Sequence, residues 1–106
     1  MIYNVVISSQ AENDLRGIFE YIAFELKSPQ NAADQLEKLE RKILSLEAMP
    51  DRPRVFDREP WRSRGLRILP TDNFVILYLT DARNLTVTVI RVMYGGRDID
   101  KQLETD

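Results

Sequence analysis

Residues 85–98 read LTVTVIRVMYGGRD, and this stretch decides the architecture. Its first half is β-branched, as a strand requires, because branched side chains fit the pleated surface. Arg91 stands in mid-strand, where a guanidinium needs either a partner or a task. Gly95-Gly96 then permits a sharp turn that brings Tyr94 and Arg97 to the end of the sheet. By strict alternation Val87, Val89, Arg91 and Met93 point one way, and Thr88, Ile90, Val92 and Tyr94 the other. Facing a helical layer, Arg91 must pair with a carboxylate such as Glu20 or Asp14. Facing an open side, it flanks a shallow basic surface with Arg67.

Working back from that strand, Asp81-Ala82-Arg83-Asn84 is a turn that follows a strand over residues 74–80. Its core, FVILYL, is apolar on both sides, as a central strand should be. Pro70-Thr71-Asp72-Asn73 is a second turn, preceded by a strand at residues 65–69. Short turns make these three strands an antiparallel meander. Before them, Pro50, Pro53 and Pro60 make residues 50–63 a loop, which carries Phe56 and Trp61. Trp61 there either offers a stacking platform for a base or tucks the loop against the sheet.

The first half of the chain is helical after a short strand at residues 2–7. Ser9 with Glu12 reads as a capping box opening a helix. Leu15, Ile18, Phe19, Ile22 and Leu26 follow at spacings of three and four, giving one apolar face. Ser28-Pro29 opens a second helix, along which Ala32, Leu36, Leu39, Ile43 and Leu46 form a narrow seam. The expectation is α+β in the order β-α-α-β-β-β, a single domain over residues 1–106. A helical hairpin packs on one face of a small antiparallel twisted sheet, the first strand joins an edge, and the other face stays available.

Composition removes several classes of function. There is no cysteine and no histidine among the 106 residues, which excludes a zinc site, thiolate chemistry and a histidine base. No carboxylates cluster at calcium-loop spacing, so neither a metal nor a cofactor is expected. No apolar run approaches the ~20 residues that cross a bilayer, and the absence of cysteine suits a reducing cytoplasm. The net charge of −2 hides an asymmetry. Arg52, Arg54, Arg58, Arg62, Arg64 and Arg67 face only Asp57 and Glu59 within that stretch, a local +4 made wholly of arginine. It reads either as a solvated loop with salt bridges or as a contact for an anionic partner.

The ordered set of Asp14-Leu15, Tyr21-Ile22, Ser28-Pro29, Leu39-Glu40, Gly65-Leu66-Arg67, residues 74–78, Ile90-Arg91-Val92 and Gly96-Arg97-Asp98 resembles the RelE/ParE superfamily of type II toxins. The resemblance implies a bacterial cytoplasmic toxin neutralised by a cognate antitoxin that wraps its sheet and helices. Two targets follow from it. RelE-like members cleave mRNA at the ribosome, whereas ParE-like members poison DNA gyrase. In the first case Arg67, Tyr94 and Arg97 are the catalytic candidates, with the arginines stabilising charge and Tyr94 moving the proton. In either case Trp61, Arg62, Arg64, Arg67, Arg91 and Arg97 are candidates for contact with the target or the antitoxin. The stretch Asn73-Phe74-Val75-Ile76 lacks the basic residue usual in the nucleases, and Arg67 stands without the paired lysines of that branch. Those departures favour the gyrase-directed reading. An inactive homologue that only binds an antitoxin is the third expectation.

Overall fold

The computed structural model describes residues 2–48, 55–56 and 58–95. Strand β1 (Asn4–Ile7) leads into helix α1 (Ser9–Glu20), which continues through a π-helical turn, Tyr21–Glu25. Helix α2 (Pro29–Leu44) follows, then strands β2 (Arg67–Thr71), β3 (Phe74–Asp81) and β4 (Thr86–Tyr94). The order β-α-α-β-β-β is the expected one. The sheet, in the order β1-β4-β3-β2, is mixed rather than wholly antiparallel: the meander is antiparallel as expected, but β1 runs parallel to β4. A parallel partner needs a long crossover, and everything between β1 and β4 provides it.

The helical seams follow the sequence pattern. Leu15 and Ile18 from α1, and Leu39, Ile43 and Leu46 from α2 and the turn after it, are buried against Phe74, Ile76, Tyr78, Val87, Val89 and Val92. Leu26 is the exception, 56% exposed. The π turn explains it, since Leu26 N–H bonds the Tyr21 carbonyl at 3.0 Å and the extra residue per turn rotates the apolar stripe away. The cap of α1 is Ser8, one residue before the expected Ser9. Its hydroxyl accepts from the Ala11 N–H at 3.1 Å. Pro29 occupies the first turn of α2, as expected.

The meander strands are shifted by one or two residues from their expected bounds. Pro70 and Thr71 lie inside β2, leaving Asp72-Asn73 as the turn, with Asp72 at φ 53°. Proline is tolerated because β2 is an edge strand. Between β3 and β4, Asp81 organises the turn by accepting from the Asn84 side chain at 2.7 Å and from the Asn84 and Arg83 N–H groups at 3.1 Å. These bonds, the Asn84 amide first, hold its carboxyl below the ordinary value. A carboxyl with a depressed native pKa stabilises the fold above its unfolded pKa and loses that contribution as the pH falls through the native one. The Asn84 amide signals are therefore expected to move during acidification below the ordinary Asp range, and an NMR titration of Asp81→Ala should lack that step.

The second face of the sheet is not left open. Leu66, Ile68, Val75, Leu77 and Met93 form a second buried cluster, and Phe56 and Trp61 pack on it. Phe56 N–H bonds the Leu66 carbonyl at 2.7 Å, and Leu66 N–H bonds the Trp61 carbonyl at 3.1 Å, so the segment folds back on itself. Trp61 thus tucks its loop against the sheet, one of the two roles expected of it. Glu59 closes the turn beneath, taking the Ser63 hydroxyl and, at 2.7 Å, the Ser63 N–H.

Candidate functional site

Strand β4 changes partner along its outer edge. From Thr86 to Val89 it pairs with β1. Beyond Val89 no strand among the described residues lies beside it, and α1 supplies the missing groups. Ser8 N–H donates to the Val89 carbonyl at 2.9 Å, and the Ser8 hydroxyl donates to the Ile90 carbonyl at 3.1 Å. Asp14 Oδ2 accepts from the Val92 N–H at 2.9 Å. A capping residue and a carboxylate farther along the helix thus stand in for a neighbouring strand.

The same carboxylate holds Arg91. Nε reaches Asp14 Oδ2 at 2.7 Å and Nη2 reaches Oδ1 at 3.0 Å, a two-point contact that fixes the guanidinium plane. The side chains are 13% and 16% exposed, so the pair sits largely out of water. Of the two environments foreseen for Arg91, this is the helix-facing one, with Asp14 as the partner. Alternation along β4 fails here because the β3–β4 register shifts between Leu77 and Tyr78, which pair with Arg91 and Val89. Ile90 is the extra residue of a β-bulge. Val87 and Val89 face the helices before it, Val92 does so after it, and Met93 belongs to the second face.

Farther along the same edge, a groove of about 520 Å³ opens between α1 and β4. Asn13, Gly17 and Tyr21 line it from the helix, four residues apart and therefore on one face, and Arg91 to Tyr94 line it from the strand. Tyr94 forms a wall held by Phe74, with ring centroids 4.6 Å apart. Gly17 is unexpected in mid-helix. A Cβ built there meets nothing within 4 Å, so neither packing nor a left-handed backbone demands glycine. Helix-interior glycine costs roughly 0.5–1 kcal/mol against alanine. Gly17→Ala is accordingly expected to raise the unfolding free energy by about that amount in urea titration. The spacing of Asn13, Gly17 and Tyr21 is visible in the sequence, yet these residues do not stand out there because each is unremarkable alone.

On the opposite flank of α1 lies an apolar groove of about 680 Å³, with Ile7, Leu15, Phe19, Phe24 and Leu36 in its lining and Glu12, Glu20 and Glu40 beside them. Phe24 is 70% exposed there.

Of the arginines singled out in the sequence, Arg52 and Arg54 lie outside the described residues, and the described ones are dispersed. Arg62 and Arg64 are exposed on the segment covering the second face, with the Arg64 guanidinium 5.2 Å from the centre of the Trp61 ring. That cation–π contact occupies a ring face that a base would need. Arg67 is half-buried and opposite Tyr78, which faces the helices. Tyr94 lies opposite Phe74, at the other end of β3. Four residues along the strand and two inter-strand steps separate Arg67 from Tyr94, about 16 Å between Cα atoms at standard strand spacings. Arg97 lies outside the described residues. Arg91 is committed to Asp14, so it does not join Arg67 in a shared basic surface. Among the described residues no group of three or more acidic side chains is placed to hold a metal ion.

A family model for the ParE toxin of the type II toxin–antitoxin system parDE matches residues 5–99. Curated proteins give no match. Among solved structures, the chain is similar to one from the chromosomal ParDE system of P. aeruginosa, at 14% identity and a TM-score of 0.73, covering 88% of this chain and 96% of that one. It is also similar to a chain of the RelBE2 toxin–antitoxin complex from Mycobacterium tuberculosis, at 22% identity and a TM-score of 0.63, covering 89% and 99%. The isolated E. coli RelE toxin matches at 13% identity and a TM-score of 0.62, covering 97% and 95%. At these identities the structures speak for a shared fold.

Proposed function

We propose, since the chain belongs to the ParE toxin family of type II toxin–antitoxin systems, that it inhibits DNA gyrase by binding rather than by hydrolysis. It works in a bacterial cytoplasm and is held silent by a cognate antitoxin. The observation that carries this reading is the separation of Arg67 from Tyr94. Cleavage by a 2′-hydroxyl needs charge stabilisation and proton transfer around one phosphorus, with partners within hydrogen-bond reach. Two groups at opposite ends of β3 would each have to reach fully toward the other to meet at one phosphate. Arg91 supports the same reading, because its charge is already matched by Asp14. The apolar groove beside Phe24 suits an antitoxin segment that covers hydrophobic surface in the complex.

The test is a supercoiling assay with purified gyrase, run beside growth measurements after inducing the chain alone. Tyr94→Phe is expected to keep both activities within about twofold. A nuclease that relied on the hydroxyl would lose on the order of 10²–10⁴-fold. Immediate collapse of protein synthesis with unaffected supercoiling would instead establish the ribosome-dependent mRNA endonuclease. No growth defect at all would establish the inactive, antitoxin-binding homologue.

A further inference from the structure

We propose that the groove between α1 and β4 is a socket for a neutral aromatic side chain carried by a partner polypeptide. This rests on the partner-binding half of the proposed function and adds the chemistry by which one partner residue is held. Six observations converge on it. The groove, about 520 Å³, falls within the size range of built ligand sites. Among the described residues, the charged groups in its lining are Asp14 and Arg91, which are joined to each other through two hydrogen bonds, so together they offer no net charge. A phosphate-bearing ligand would need a cation that is not already matched, and this disfavours a nucleotide as the occupant.

The floor and walls define the shape. Gly17 leaves open space where any other residue would project a side chain, although nothing in the packing or backbone requires glycine. A flat ring lies against such a bare stretch of helix at van der Waals distance. Tyr94, held on Phe74, and Tyr21, 47% exposed at the start of the π turn, supply aromatic surfaces for offset or edge-to-face contact. Asn13 adds an amide that can bond an indole N–H or a phenol. The strand side of the groove is an edge of β4 with no strand beside it among the described residues, which suits an approaching main chain better than a base.

The experiment follows backbone and side-chain amide signals of the full chain by NMR while N-acetyltryptophanamide is added, with adenosine monophosphate and N-acetylleucinamide as comparators. Saturable shifts at Gly17, Asn13 and Tyr21, with a dissociation constant on the order of 1 mM for so small a probe, are expected for the tryptophan compound. The leucine compound should bind at least fivefold more weakly and the nucleotide should leave these signals in place. Gly17→Leu, which fills the floor, should weaken binding at least tenfold while its thermal midpoint stays at or above that of the parent. Tyr21→Ala should weaken binding without disturbing the floor. Equal or tighter binding of the nucleotide would assign the groove to nucleic acid and overturn the proposal. Absence of shifts with any probe would also overturn it. Shifts at Gly17 that depend on protein concentration alone would give the groove to a second copy of this chain and overturn it as well. Gyrase inhibition is read separately, so a chain that binds the tryptophan probe but spares gyrase would refute the proposed target and leave the socket standing.

Discussion

Asp14→Ala should cost about 3–5 kcal/mol of unfolding free energy, the range for removing one partner of a buried ion pair. The substitution leaves the Arg91 guanidinium, 13% exposed, without its bidentate acceptor, and it strips the Val92 N–H of the carboxylate oxygen that accepts from it. An orphaned backbone donor adds a desolvation penalty to that of the charge. Urea unfolding read by far-UV circular dichroism would measure the loss, with the slope unchanged if the fold is otherwise kept. The paired replacement Asp14→Leu with Arg91→Met should recover most of it, since exchanging a buried pair for apolar residues of similar size is often close to neutral. A single substitution costing under about 1 kcal/mol, the range of exposed pairs, would show that α1 is held to β4 by apolar packing and the Ser8 bonds without help from the ion pair.

Deleting Leu77 from β3, opposite Arg91 and next to the bulge, is expected to eliminate the cooperative unfolding transition. Deleting Ile90 would remove only the extra residue and keep the pairs on either side in register. Strand β3 serves two faces: Phe74, Ile76 and Tyr78 reach the helical side, and Val75 and Leu77 the other. A one-residue slip exchanges the faces of everything beyond it. Tyr78, fully buried on the helical side, would turn toward the second cluster, and Leu79, packed on that cluster, would turn toward the helices. Such losses together approach the whole stability of a domain this size, about 5–15 kcal/mol. Replacing Leu77 by methionine, which keeps the residue count and nearly the volume, should cost less than about 1.5 kcal/mol. A deletion variant with a sharp thermal transition would mean that the strand tolerates both registers.

That bulge also marks how far the sequence could be read. Periods of three and four place the faces of both helices because burial there depends on local spacing, and Leu39, Ile43 and Leu46 lie where the seam puts them. Alternation on β4 runs through Arg91 without a break in the sequence, because neither glycine nor proline signals the extra residue. The two serines at positions 8 and 9 offer equivalent caps. Only the contacts of Ser8 with Val89 and Ile90 decide between them, and those depend on residues far along the chain. Asp14 is one of two carboxylates that the sequence puts in reach of Arg91. The choice rests on a helix-to-strand distance that no pattern encodes. A tucked Trp61 is among the roles its loop suggests, yet the extent of the second cluster is not, since Ile68, Val75 and Leu77 read simply as strand residues.

The bonds that close the outer edge of β4 join residues 82 positions apart at Ser8 and Ile90, and 77 apart at Asp14 and Arg91. During synthesis the first helix therefore leaves the ribosome long before the residues that complete its anchorage exist. The Ser8 hydroxyl still caps the helix's own first turn, a contact spanning three residues, so the helix can form early while its place in the molecule stays unfixed. Closing so long a loop is slow on the scale of local events. The groove beside α1 comes into being only when β4 arrives, so recognition through it is a property of the finished chain and not of any nascent fragment.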